Sequence, residues 1–101
     1  MIKPTKVKVG GLEYRIWFER EFGDNLFGRT VCSDQEILIN KDVSEERQRV
    51  TLLHELIHAI SNEMLEKQID EQQVNALSQE LYRILNEDKK IRSLLLPNLS
   101  D

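Results

Sequence analysis

Both histidines of this 101-residue chain fall in one apolar stretch, "TLLHELIHAI" at 51–60. They stand four residues apart, with a glutamate directly after the first: His54, Glu55 and His58. Positions i and i+4 of an α-helix share a face one turn apart, so the two imidazoles can offer nitrogens to a single ion. A catalytic zinc site needs a third protein ligand and an open position for water, and a glutamate beside the first histidine can reach that water as a general base. The pattern is HExxH, with Glu55 as the expected catalytic residue. The competing reading is a metal-free structural domain whose two core histidines are merely hydrogen-bonded. A carboxylate buried beside two histidines in a Leu/Ile run is costly without a cation to balance it, which favours the metal.

A third ligand has to come from downstream, where Glu63, Glu66, Asp70 and Glu71 are the candidates. On a regular helix Glu63 is rotated by roughly 140° from His58 and points away. Glu66 falls where the chain must turn. Asp70 and Glu71 open a returning helix, and about five residues out and five back bring Glu71 level with His58. The expected ligands are therefore His54, His58 and Glu71, with Asp70 the alternative for the third place and otherwise an N-cap. Asn75, on the Glu71 face together with Ser78 and Tyr82, is a candidate for orienting Glu71 or a histidine. Tyr82 stands about 16 Å along the helix from Glu71, too far to act in catalysis.

The elements that must hold these residues divide the chain into a strand-forming half and a helical half. In "KVKVGGLEYRIWF" a Gly10-Gly11 turn would set Val9 opposite Leu12, Val7 opposite Tyr14 and Lys8 opposite Glu13, with Ile16 on the same inward face as Tyr14. Two further runs, "RTVCS" at 29–33 and "EILIN" at 36–40, predict a second hairpin turning at Asp34 and Gln35. Asp42 or Ser44 caps the following helix, on which Val50, Leu53, Ile57, Ile60 and Met64 recur at helical spacing, with Leu52, Leu56 and Ala59 apolar on further sides. A second helix begins at 68–71, with Asp70 and Gln73 as a capping pair and Val74, Leu77, Leu81, Ile84 and Leu85 toward the core. The tail holds one or two more helical turns before Pro97. Trp17, Phe18, Phe22 and Phe27 read as packing around the sheet edge. The fold class is α+β: an N-terminal antiparallel sheet of three to four strands, then the HExxH helix and a second, glutamate-bearing helix.

Composition bounds the partners. The 14 basic residues against 18 acidic ones, a net charge of -4, provide no basic excess to draw the chain to nucleic acid or an anionic membrane. One domain over residues 1–101 is expected at this length. The single Cys32 cannot form an internal disulfide and reads as a small buried residue. Without a leader or a long apolar segment, the expected setting is cytoplasmic.

The runs "GRTVCSDQEILINKDVSEERQRVTLLHELIHAI" and "EQQVNALSQELY" together resemble the ImmA/IrrE family of gluzincin-type zinc metallopeptidases, above all its very small phage and prophage members. That family joins a strand of the form I-x-I-N to an HExxH helix and then to a helix opening E-x-x-V/A-N/D-x-L/F-A/S. The resemblance implies a zincin-like fold and Zn²⁺ held by His54, His58 and Glu71, with Glu55 as general base. It further implies a peptide or protein substrate and a sheet edge at Gly28 to Cys32 lining the cleft, with "EILIN" inside the sheet. An edge strand can take up an extended peptide as one more strand, and the alternative for Gly28 to Cys32 is an interior strand with no role in binding. The His58 to Glu71 spacing is short for the larger members, and no helix-turn-helix segment is present. The alternative function is a catalytically weak or inactive zincin-fold binding or regulatory module.

Overall fold

Gly10 and Gly11 both take positive φ, 59° and 85°, as a tight hairpin turn requires at its two central positions and as glycine allows. A side chain at Gly10 would also run into the end of the first helix, since Met64 and Glu63 atoms lie 2.9 and 3.0 Å from its Cβ position. This turn joins β1 (Thr5–Val9) to β2 (Leu12–Glu19), with the expected pairs Val7 with Tyr14, Lys8 with Glu13 and Val9 with Leu12. The computed structural model describes residues 3–20 and 26–98.

The second hairpin pairs β3 (Gly28–Val31) with β4 (Glu36–Asn40). Its turn is longer than Asp34 and Gln35 alone: Cys32–Asp34 form a 3-10 turn and Gln35 closes it with φ 54°. Strand order is β1-β2-β4-β3, and β2 runs parallel to β4. The sheet is therefore mixed rather than wholly antiparallel. β3 leaves a place beside β2, and β4 turns back to fill it. Ile37, Leu38 and Ile39 are all buried, the unbroken apolar run of an interior strand. Main-chain bonds from Asn40 N to Phe27 O (2.8 Å) and from Lys41 N to Glu19 O (2.7 Å) close the end of this arrangement.

The helix α1 (Glu45–Met64) starts at Ser44, not Asp42; the Ser44 hydroxyl accepts the Arg47 N–H at 3.1 Å, and Glu45 and Glu46 occupy the first turn. Acidic residues there meet the positive end of the helix dipole. The helix lies on the sheet through Leu52, Leu56 and Ala59, which pack with Val9, Tyr14, Ile16, Ile37 and Ile39. The stripe expected to lead that packing is less covered, with Ile60 and Met64 exposed.

The next helix, α2 (Glu71–Glu87), opens with a complete capping box between Asp70 and Gln73. It packs chiefly on α1, not on the sheet. A helix that meets one main neighbour needs only a narrow buried line, and here that line is Val74 and Ser78, while Leu77 and Leu81, expected inward, are exposed. A short α3 (Lys89–Leu95), capped by Asp88, ends before Pro97. Between α1 and α2, the buried Ser61 accepts the Ile69 N–H at 3.0 Å, and Gln68 donates to Asn62 at 2.8 Å. These bonds fix the connection that delivers Glu71.

Of the four expected packing aromatics, Phe18 lies against the core and Trp17 donates to Glu36 at 3.1 Å. Phe27 is exposed, and Phe22 lies outside the described residues. Tyr14 is fully buried and donates to Glu63 Oε2 at 2.5 Å. Burial, followed by its bonds to Glu63 and Cys32, raises the phenol's pKa above the ordinary range. Cys32 itself is half-buried.

Candidate metal centre

Helix α1 presents His54 and His58 one turn apart, with ring centroids 4.9 Å from each other. The first residue of α2 completes the group. Glu71 places one carboxylate oxygen 2.6 Å from His54 Nε2 and the other 2.8 Å from His58 Nε2. One donor atom from each of the three residues falls within a 4.8 Å spread. The Asp70 side chain instead accepts the Gln73 N–H at 2.8 Å as an N-cap, and Glu63 is engaged by Tyr14 and Asn62.

The donor set fits a cation. Ser78 Oγ, fully buried, lies 3.2 Å from the Asn75 carbonyl and 3.5 Å from His54 Nδ1. Ser78 thus stands at the Nδ1 edge of His54, while Nε2 faces Glu71. Both Nε2 atoms are directed at the Glu71 carboxylate, so the three side chains turn their donor atoms toward one point. Two imidazole nitrogens and a carboxylate are ligands of the kind zinc accepts, and three protein donors leave a place for water. Glu71 is 69% exposed at its side chain, so the group opens to solvent.

Glu55 is 6% exposed and sits between α1 and the sheet edge. Thr30, on β3, donates to Glu55 Oε1 at 2.8 Å, with the Glu55 carbonyl also within 3.1 Å of that hydroxyl. Desolvation raises the carboxyl's pKa, against the lowering influence of the Thr30 hydroxyl and the two histidines. The edge strand approaches the helix closely because position 28 is glycine: a Cβ there would stand 2.6 Å from Thr51 Cγ2 and 2.9 Å from Leu38 O.

An open cleft runs past these groups between β3 and the helix pair. One side is bounded by Leu26, Phe27, Arg47 and Gln79, the other by Arg29, Cys32, Asn62 and Gln68. Asn75, a candidate for orienting the ligands, does not reach them; its side chain accepts from Gln79 at 3.3 Å. Ser78, one turn along, stands against His54 instead. No spacing rule in the sequence marks Thr30 or Ser78. The only signals were a threonine at an inward position of the edge strand and a serine on the Glu71 face. Tyr82 accepts from Arg49 at 3.2 Å, away from the ligands.

A sheet of this topology, a histidine pair on the helix laid across it and a glutamate opening the next helix define a small zincin-like domain. Residues 18–87 match the Peptidase_M78 family model, described as the IrrE N-terminal-like domain, and the chain belongs to that family. Searches of curated proteins and of solved structures return no match. Among the described residues no helix is long and apolar enough to cross a membrane.

Proposed function

We propose that the protein is a zinc-dependent peptidase whose ligands are His54, His58 and Glu71 and whose general base is Glu55. The observation that carries this reading is the convergence of the three donor atoms beside a buried carboxylate. A zinc ion held there would polarise a scissile carbonyl and lower the pKa of the attacking water. Thr30 holds Glu55 Oε1, which leaves Oε2 to take the proton from that water and return it to the leaving amine. Ser78 Oγ, 3.5 Å from His54 Nδ1, backs the ring on the edge opposite Nε2.

The substrate in this reading is an extended peptide. β3 lies at the end of the sheet order, and an edge strand offers main-chain donors and acceptors to which a peptide can add as a further strand. The reading carries a cytoplasmic setting, which a single unpaired cysteine suits. Metal analysis joined to a peptide-library digest, wild type against Glu55→Gln, tests the proposal. Zinc in both proteins with cleavage only in the wild type is the expected result; zinc in both with cleavage in neither would make the domain a binding module.

A further inference from the structure

Arg47 stands where helix stability gives no reason for a cation. It is in the first turn of α1, after Glu45 and Glu46, at the end of the helix dipole that disfavours positive charge. Its guanidinium lies over the Phe27 ring, 4.8 Å from the centroid, and meets no carboxylate among the described residues. The neighbouring arginines differ: Arg83 is held by Glu80 and Glu87, and Arg49 by Glu45 and Tyr82. Phe27 and Arg47 bound the same hollow as His54, Glu55 and Glu71. A guanidinium stacked on one face, without a carboxylate partner among the described residues and facing an open cleft, presents its planar donor edge to carboxylates.

Position along the cleft follows from helix geometry. Seven residues separate Arg47 from His54, two turns on one face and about 10.5 Å along the axis. The chain at β3 tracks α1, with Phe27 at Arg47, Gly28 at Thr51 and Thr30 at Glu55, so a peptide added to that strand, advancing about 3.3 Å per residue, covers the length in about three residues. The geometry points to Arg47 as a specificity-determining residue that selects a carboxylate on the peptide about three residues from the bond held at the metal centre. This inference rests on the peptidase reading and adds the substrate's charge to it.

The test uses zinc-loaded Glu55→Gln protein, which holds peptides without turning them over. Labelled peptides with capped ends, identical except for Glu, Gln or Lys moved through each position, are titrated by fluorescence anisotropy. A second set compares free C-terminal acids with amides and distinguishes a side-chain carboxylate from a terminal one. At one position the carboxylate is expected to bind about fivefold tighter than its neutral counterpart, the range of a solvent-facing ion pair, and added salt should shrink that preference. Adding Arg47→Gln should abolish it, Arg47→Lys should keep part of it, and Arg47→Glu should turn it toward lysine, all with zinc content unchanged. Tight binding of all peptides alike, or a preference that survives Arg47→Gln, overturns the Arg47 assignment alone. Failure of every peptide to bind the zinc-loaded protein overturns the peptidase reading with it.

Discussion

Replacing Glu55 by glutamine keeps the size and burial of the side chain while removing the base. The expected outcome is full zinc occupancy with hydrolysis reduced by at least about 10²-fold, the usual contribution of a positioned acid–base group. Glu71→Ala should act on the metal instead, since it removes the one donor supplied by α2; dialysis against a zinc buffer compares the two affinities. Thr30→Val is the third residue-scale case. It strips a buried carboxylate of its hydroxyl partner, so the variant should lose about 1–3 kcal/mol in denaturant unfolding. Helical spacing alone sets His54 and His58 on one face, whereas choosing Glu71 over Asp70 depends on how the chain turns between the helices, and Asp70 is taken up as the N-cap. Thr30 and Ser78 were not legible in the sequence, because an orienting hydroxyl has no spacing rule of its own and depends on how closely two elements pack.

Close packing of elements makes Gly28 an expected weak point. A methyl group there meets Thr51 Cγ2 and the Leu38 carbonyl, so Gly28→Ala should destabilise the fold by about 1–3 kcal/mol, as overpacking does. Thr51→Ser in the same chain removes the methyl contact, leaves the carbonyl contact, and should restore part of the loss in melting temperature. Both hairpins were readable from alternation and turn residues, down to the register set by Gly10 and Gly11. The parallel pairing of β2 with β4 was not, because local patterns specify hairpins and say little about which strand fills the gap between them. The apolar repeat of a helix likewise does not say which of its faces a neighbour covers. Leu77 and Leu81 continue an apolar repeat, yet α2 is covered chiefly by α1, with the short α3 beside its end, and Val74 and Ser78 take the α1 contact.

At the scale of the whole molecule, the metal should tie α2 to a sheet-and-helix body that holds together without it. The core joins β1, β2, β4 and α1, whereas α2 leans on α1 and contributes Glu71 across the gap. Removing zinc with a chelator should therefore lower the melting temperature and speed amide hydrogen exchange in α2 more than in β2 or β4, with recovery on adding zinc back. Equal acceleration everywhere would mean that the metal supports the entire fold. The central claim, one zinc ion shared by α1 and α2, is tested most directly by the zinc content of purified wild-type and His58→Ala protein after dialysis against a weak chelator. The account predicts one zinc per wild-type chain and a largely empty His58→Ala variant that melts at lower temperature. A His58→Ala protein with full zinc content and an unchanged melting temperature would contradict it.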